Sequence, residues 1–154
     1  MYPVTVKKLR SRSLIGLPHT GDYQQINTAY DKLFETLDAR DLTDRTRQMV
    51  AIFYDDPSKT APANLRSFAA VTAPKTVPCD APLQPITLPT GPHAVLRFIG
   101  PYTGLPAAYA YLYGEWLAQS GKQQSGQPSY EVYINSPRTH APADLVTEIC
   151  LPLK

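Results

Sequence analysis

The chain contains two similar halves, and this internal repeat constrains its fold more than any other feature. Ten identities recur in order, five at an offset of 79 residues and five at an offset of 80. They connect Gly21–Leu33 with Gly100–Leu112, and Pro57–Leu65 with Pro137–Leu145. Solenoid repeats are shorter, roughly 20–50 residues, and need three or more copies. The repeat therefore predicts two modules packed about a pseudo-twofold axis, with a cleft between them where a ligand would sit.

Composition and charge limit the classes of protein to consider. With 154 residues, 43% hydrophobic and 18% charged, the chain is expected to form one globular domain, residues 1–154. The basic run Lys7–Arg12 is interpreted as a solvated edge strand, because no nucleic-acid-binding motif accompanies it. Direct nucleic-acid binding is therefore not expected. No apolar stretch approaches the roughly 20 residues of a membrane span, and no signal peptide is recognised, so a cytoplasmic location is expected.

The sequence offers no metal site and no standard catalytic motif. Cys79 and Cys150 are isolated, and free thiols are the simplest interpretation, although a disulfide between them stays open. The three histidines (His19, His93 and His140) lack metal-ligand spacing. Neither a nucleophile elbow nor a phosphate-binding glycine loop is present. We therefore expect neither a metal nor a cofactor.

Each module is predicted to form a strand, a helix and two further strands. Module 1 spans 1–74, a proline-rich linker spans 75–91, and module 2 spans 92–154. The predicted elements of module 1 are a strand at Pro3–Leu9 that continues toward Ile15, a helix opened by Gly21 and Asp22, and strands at Met49–Tyr54 and Ser67–Thr72. Those of module 2 are strands at His93–Ile99, Ser129–Ile134 and Val146–Leu151, and a helix ending at Gly121. The fold class is α+β, with an antiparallel sheet and two helices on one face.

The helices show equivalent apolar stripes at helical spacing. The stripe residues are Ile26, Tyr30, Leu33 and Leu37 in module 1, and Leu105, Tyr109, Leu112 and Trp116 in module 2. For Trp116, a core position is favoured over a ligand-stacking position, and both stay open.

Glu131 breaks the symmetry of the two modules, because its equivalent is Ala51. Strand alternation assigns Val132 and Ile134 to the helix-covered face, and Glu131 and Tyr133 to the opposite face. A desolvated carboxylate without a partner is costly and prefers its neutral form. A bound cation would relieve that cost, and each tyrosine face could add about 0.5–2 kcal/mol of cation–π attraction. The residues leave open the alternative that Glu131 simply faces water.

Other strand and helix-entrance residues are weaker candidates. Glu148 and Cys150 are predicted to face the same side as Glu131, although a solvated carboxylate is the favoured interpretation of Glu148. Tyr23 and Tyr102 occupy equivalent helix entrances, where they could serve as packing caps or line a pocket. Ten tyrosines accompany only four phenylalanines, which suggests an aromatic and polar surface.

An ordered set of segments resembles a known family. The segments are Gly100–Tyr102, Glu115–Leu117, Tyr130–Pro137 and Pro142–Leu153, together with Val50–Pro57 and Leu65–Arg66 in the first half. They resemble the gyrase-inhibitor-like small-molecule-binding domain, also called the AraC-type effector-binding domain. The resemblance covers nearly the whole chain.

The resemblance implies two strand–helix–strand–strand modules with a central ligand groove. Family members include multidrug-sensing domains of bacterial regulators, free-standing relatives of DNA gyrase inhibitor, and hydrolases of cyclopropane-bearing genotoxins. The family's pocket carboxylate corresponds to Glu131. The candidate ligand-binding residues are Glu131, Tyr133, Phe53, Ala51, Tyr23, Tyr30, Tyr102, Trp116, Glu148 and Cys150. The chain begins at the first strand, so we expect a stand-alone form without a helix-turn-helix.

Three functions follow as hypotheses. The favoured one is binding or sequestration of an aromatic, cationic small molecule by Glu131 and the tyrosines. The second is hydrolysis of cyclopropane-bearing genotoxins, with Glu131 as general acid or base. The third, an interaction with gyrase, has the least support, because no dedicated interface is recognised in the sequence.

Overall fold

Antiparallel pairing groups the strands into two sets in the computed structural model, which describes residues 2–154. The strands are β1 (Val4–Leu9), β2 (Arg12–Thr20), β3 (Met49–Phe53), β4 (Arg66–Thr72), β5 (Gln84–Leu88), β6 (Gly91–Ile99), β7 (Ser129–Tyr133) and β8 (Val146–Pro152). The helices are α1 (Asn27–Ala39), α2 (Leu105–Ala110) and α3 (Leu117–Ser120), and a π-helical turn (Tyr111–Trp116) joins α2 to α3. The expected α+β class with antiparallel strands is confirmed.

The N-terminal unit comprises residues 11–89. Its strand order is β3-β4-β2-β5, and α1 contacts β2 and β4. The buried helix residues are Ala29, Tyr30, Leu33 and Leu37, which form a stripe at helical spacing.

The C-terminal unit comprises residues 2–10 and 90–154. Its strand order is β1-β6-β8-β7. A buried apolar cluster joins the helix to the sheet, with Leu105, Ala108 and Leu112 from the helical segment, and Leu96 and Ile149 among the strand residues. Burial of these side chains fixes the helix against one face of the sheet.

Local sequence signals determine how the helical segments begin and end. The side chain of Asp22 accepts a hydrogen bond from the backbone N–H of Gln24 (2.9 Å), which caps the 3₁₀ turn leading into α1. Gly121 ends α3 in the left-handed conformation (φ +72°), which glycine adopts without a steric penalty. The predicted helix end at Gly121 is confirmed. The predicted start is displaced, because Asp22 caps the 3₁₀ turn and α1 begins at Asn27.

The path of the first strand differs from the prediction. The segment Pro3–Leu9 was assigned to module 1, but β1 pairs with β6 of the C-terminal unit, with Val4 opposite Leu96. The strand that occupies the expected place in the N-terminal unit is β2. Part of the predicted 75–91 linker also forms a strand, because β5 pairs with β2. The two units nevertheless share the predicted strand–helix–strand–strand order, and the single-domain assignment of residues 1–154 stays a prediction.

Strand register corrects the assignment of faces around Glu131. Glu131 lies opposite Ile149 and Tyr133 lies opposite Thr147, so all four side chains share one face of the sheet. Ile149 belongs to the cluster under the helix, so this is the helix-covered face. The prediction that Val132 and Ile134 occupy that face is wrong, and Ile134 is 39% exposed. Strand alternation separates two sets of residues but does not reveal which set the helix covers.

Within residues 2–154, no helix has the length and apolar character needed to cross a membrane.

Gly16 is a position where replacement by alanine is expected to destabilise the protein through steric overlap. A Cβ at this position of β2 would lie 2.8 Å from the Cα of Ala70 on β4. We expect Gly16→Ala to lower the free energy of unfolding by about 1–3 kcal/mol through overpacking. Gly114→Ala is the matched control, because nothing lies within 4 Å of that Cβ. Urea denaturation of both variants measures the difference, and equal stabilities would contradict the packing of β2 against β4.

Candidate functional site

Glu131 lies in the middle of β7, and only 4% of its surface is exposed. Both of its carboxylate oxygens accept hydrogen bonds from phenols. The hydroxyl of Tyr109 donates to Oε2 and the hydroxyl of Tyr133 donates to Oε1, each at 2.6 Å. Distances of this size are typical of charge-assisted O–H···O⁻ bonds. Glu131 is therefore a buried acceptor held by two defined donors.

The two donors come from different secondary-structure elements. Tyr133 follows Glu131 by two residues on the same strand, so both side chains point to the same face. Tyr109 comes from α2, which packs on that face through Leu105 and Ala108. The helix and the sheet thus supply one phenol each.

Two further aromatic rings surround the phenols. The ring of Tyr102 meets Tyr133 edge-on, with centroids 5.7 Å apart, and the ring of Tyr113 stacks on Tyr109 with centroids 6.3 Å apart. Tyr102 is 37% exposed and Tyr113 is 36% exposed. We call Glu131 and these four tyrosines the Glu131 cluster. It has a buried polar centre and a partly exposed aromatic rim.

The electrostatics of the cluster are dominated by burial. Burial raises the pKa of Glu131 above its ordinary value, while the hydrogen bonds from Tyr109 and Tyr133 oppose this shift. The pKa of Tyr109 is raised well above its ordinary value by burial and by the adjacent carboxylate, and the pKa of Tyr102 is raised by the same two causes. Both tyrosines therefore stay protonated at neutral pH.

No cationic side chain among residues 2–154 forms an ion pair with Glu131. The ion pairs present in this part of the chain are Arg66–Asp55 and Arg97–Glu148. A buried carboxylate usually has a cationic partner, a metal ion or a raised pKa. The carboxylate of the Glu131 cluster is therefore stabilised by hydrogen bonds but has no positively charged partner among residues 2–154.

The N-terminal unit repeats the ring arrangement without the carboxylate. Tyr23 and Phe53 meet edge-on at 4.8 Å, as Tyr102 and Tyr133 do, and Tyr30 stacks on Phe34 at 6.1 Å. Ala51 occupies the position equivalent to Glu131 and is fully buried. The aromatic framework thus forms without Glu131, so packing alone does not account for that residue.

The tyrosine hydroxyls of the N-terminal unit bond to the backbone instead. Tyr30 donates to the carbonyl of Val50 at 2.8 Å. Tyr23 donates to the carbonyl of Asp55 at 2.7 Å and accepts from the backbone N–H of the same residue at 3.0 Å. The structure thus places Ala51, Phe53, Tyr23 and Tyr30 in one unit, with Tyr23 tying down the loop after β3.

Three further predicted residues make other contacts in the C-terminal unit. Trp116 packs against the apolar cluster beneath the helix, in agreement with the favoured core interpretation. Glu148 lies opposite Val132 and pairs with Arg97 (3.4 Å), and Cys150 lies opposite Tyr130. The prediction that Glu148 and Cys150 face the same side as Glu131 is therefore wrong, because register places them on the other face of β8. Within residues 2–154, neither Cys79 nor Cys150 forms a disulfide bond.

Sequence reasoning missed Tyr109 and Tyr113 as site residues. Tyr109 was placed on the apolar helix stripe, where a tyrosine is easily interpreted as core. A signal was present nevertheless, because Tyr109 is the equivalent of Tyr30, and Phe34 and Phe53 of the first half are replaced by Tyr113 and Tyr133 in the second. Relative to the first half of the chain, the second half thus gains two hydroxyl groups together with the carboxylate of Glu131.

The helix that carries Tyr109 and Tyr113 also departs from regular geometry. A π-helical turn (Tyr111–Trp116) interrupts it, whereas α1 is regular throughout. Such turns occur frequently at functional sites. The π-helical turn therefore lies at or beside the two tyrosines, Tyr109 and Tyr113, that belong to the Glu131 cluster.

Comparison with known proteins identifies the family of the chain. The model of the GyrI-like small-molecule-binding domain matches residues 2–154. The chain belongs to this family. A relative from Escherichia coli strain K12, named DNA gyrase inhibitor, is 26% identical over 137 residues, which is 85% of each chain.

Solved structures share the GyrI-like fold at low sequence identity. The EcmrR C-terminal domain has a TM-score of 0.78 and 16% identity, covering 100% of this chain and 98% of its own. SAV2435, solved with tetraphenylphosphonium bound, has a TM-score of 0.71 and 16% identity, covering 99% and 94%. A hydrolase from Listeria innocua has a TM-score of 0.68 and 11% identity, covering 98% and 91%.

The raised pKa of Glu131 predicts how stability depends on pH. Below the ordinary carboxyl pKa of 4.5, the residue is protonated in both the folded and the unfolded state. As the pH rises above that value, the unfolded state releases the proton first, so the free energy of unfolding falls until the pH passes the folded pKa. Glu131→Gln does not titrate and keeps an acceptor for the tyrosines.

We therefore expect the wild-type protein to lose stability relative to Glu131→Gln as the pH rises from 4.5 to the raised pKa of the folded state. Urea denaturation of both proteins across this range measures the difference. A wild-type protein that gains stability relative to the variant would show that the two phenols lower the pKa more than burial raises it.

Proposed function

We propose that the C-terminal unit binds an aromatic, cationic small molecule, with Glu131 as counter-charge and the tyrosines as its wall. The observation that carries the proposal is a 4%-exposed carboxylate with no cationic partner in residues 2–154, enclosed by phenols. Membership of a small-molecule-binding family supports a ligand of this size. In its favour as well, SAV2435 has the same fold and was solved with the cation tetraphenylphosphonium.

The physical basis is the cost of a buried charge. Burial shields Glu131 from solvent and raises its pKa, and no side chain among residues 2–154 supplies a cation to offset the loss of hydration. A cation placed beside it restores the ionised form, and each tyrosine face adds about 0.5–2 kcal/mol of cation–π attraction. This favourable binding energy depends on the positive charge of the ligand, so a neutral aromatic molecule should obtain little of it.

Access to Glu131 requires aromatic side chains to move. Tyr102 and Tyr113 form the partly exposed rim, while the inner hydroxyls cover the carboxylate. A ligand that displaces the rim rings reaches Glu131 without unfolding the strand. The binding energy therefore includes the cost of opening the rim, which lowers the apparent affinity.

Glu131→Gln is predicted to weaken cation binding selectively. It removes the charge and keeps the side-chain shape, so we expect tetraphenylphosphonium affinity to fall about 10–100-fold, the usual range for losing one charged contact. The affinity of a neutral aromatic molecule should change little. Isothermal titration calorimetry with both ligands measures the effect.

Glu148→Gln is the matched control, because Glu148 lies on the other face of the sheet, paired with Arg97. Equal losses for the cation and the neutral molecule in Glu131→Gln would contradict the proposal. Equal cation losses in Glu131→Gln and Glu148→Gln would contradict it as well.

A second candidate function is hydrolysis, favoured by the raised pKa of Glu131 and by the fold shared with a Listeria innocua hydrolase. As general base, Glu131 would take a proton from water while the water oxygen attacks an electrophilic cyclopropane carbon. The ring C–C bond would break, and the proton would pass to the departing carbon.

Incubation with a cyclopropane-bearing alkylator tests hydrolysis directly. Chromatography with mass detection should show a ring-opened hydration product that forms faster with the wild-type protein than with Glu131→Ala. The same rate of product formation for both proteins would eliminate this candidate. It would leave the binding proposal intact, because binding requires no turnover.

A further inference from the structure

Two arginines, Arg12 and Arg47, line a pocket on the surface of the N-terminal unit, and none of the described residues around it is acidic. The volume of the pocket is about 430 Å³, a size typical of small-molecule sites. Ser13 and Thr72 contribute hydroxyl groups to the lining, and Pro74 contributes apolar surface. The pocket therefore has the composition of an anion site.

Backbone hydrogen bonds fix the segments from which the arginines extend. The N–H of Ala73 donates to the carbonyl of Ser13 at 3.1 Å, which joins the residue after β4 to β2. The N–H of Arg47 donates to the carbonyl of Thr72 at 2.9 Å, which joins the segment before β3 to the end of β4. Arg12 is the first residue of β2. Both arginines therefore extend from backbone held by the sheet, and such support favours a preorganised site.

Arg12 carries a buried donor without an acceptor. Its Nη1 atom is buried and has no hydrogen-bond partner among residues 2–154. Neither of the two ion pairs within that range involves Arg12. A guanidinium is always charged and can only donate, so a buried N–H without an acceptor is costly. An anion bound beside Arg12 would supply both an acceptor and a counter-charge.

Arg47 uses one of its three guanidinium nitrogens for contacts within the unit. Nη1 donates to the backbone carbonyls of Asp44 and Thr46, at 3.3 and 3.1 Å. Asp44 therefore contacts Arg47 through its carbonyl, and no ion pair in the described part of the chain includes Arg47. The edge formed by Nε and Nη2 stays available. A guanidinium edge of this kind binds the oxygens of a carboxylate or a phosphate in a bidentate manner.

The C-terminal unit shows that the fold requires neither arginine. The N–H of Leu153 donates to the carbonyl of Pro92 at 2.9 Å, and this bond is the repeat equivalent of the one between Ala73 and Ser13. In that unit, Gly91 and Gln127 stand in place of the two arginines. The same backbone connection thus forms without them, so packing alone does not account for the arginine pair.

We propose that this pocket binds a small molecule that carries a phosphate group. Two guanidinium groups favour a doubly charged phosphate monoester over a singly charged carboxylate. The hydroxyls of Ser13 and Thr72 provide further donors for the phosphate oxygens, and Pro74 provides apolar contact for the remainder of the ligand. The inference is independent of the proposed function, because every lining residue belongs to the N-terminal unit and Glu131 belongs to the C-terminal unit.

Phenyl phosphate and benzoate test the proposal, because they share a ring and differ in the anionic group. At about pH 8 a phosphate monoester is doubly charged. Calorimetry at low ionic strength should show that the wild-type protein binds phenyl phosphate about tenfold more tightly than benzoate, the effect of an added charge-assisted contact. Arg12→Gln and Arg47→Gln should each weaken phenyl phosphate binding about tenfold, because each removes one guanidinium.

Arg138→Gln is the matched control, because it removes the same charge from an exposed residue of the C-terminal unit. Its affinity for phenyl phosphate should equal that of the wild-type protein. Urea denaturation without ligand checks folding, and Arg12→Gln should be as stable as the wild-type protein, since its buried donor has no acceptor to lose.

Three results would overturn the proposal. One is the absence of binding heat with phenyl phosphate at about 1 mM, where even weak complexes form. Another is equal wild-type affinity for the two probes, which would refute the preference for phosphate. The third is an equal loss of affinity in Arg12→Gln and Arg138→Gln, which would attribute binding to the overall charge of the protein.

Discussion

A single interaction organises the chemistry of this protein, the pair of phenol hydrogen bonds to the buried carboxylate of Glu131. Without them, a carboxylate in this position would lose hydration and gain nothing in return. With them, it has two defined donors and still no cation among the described residues. The result is a residue whose pKa is raised by burial and restrained by hydrogen bonding. The proposed ligand binding and the proposed acid–base catalysis would both depend on this balance.

Comparing the two units distinguishes the aromatic residues that both units share from the polar groups that occur at the site in the C-terminal unit. Both place an edge-on ring pair at the helix entrance and a stacked ring pair along the helix. The C-terminal unit alone has the carboxylate at the Ala51-equivalent position, with hydroxyls at the positions of Phe34 and Phe53. A common aromatic framework thus carries a polar centre in one unit and an apolar one in the other.

Sequence reasoning found the part of the site that the repeat makes visible. Comparing Glu131 with Ala51 identified the carboxylate. Gly121 located the end of α3 because its effect is local, whereas Asp22 caps only the 3₁₀ turn before α1. The prediction of which strand face the helix covers was wrong. Val132 and Glu131 both have apolar neighbours, and alternation does not reveal which of the two faces is covered. Tyr109 was missed because its bond to Glu131 joins a helix to a strand 22 positions along the chain. Such contacts depend on packing that no local pattern encodes.

The position of β1 has a consequence for how the site is assembled. This strand precedes its partner β6 by more than eighty residues, with the N-terminal unit between them. On the ribosome, the nascent chain can therefore complete the N-terminal unit while β1 is still unpaired. The strand that holds Glu131 gains its neighbour within the C-terminal sheet when β8 emerges, so the unit that carries Glu131 is the last to form.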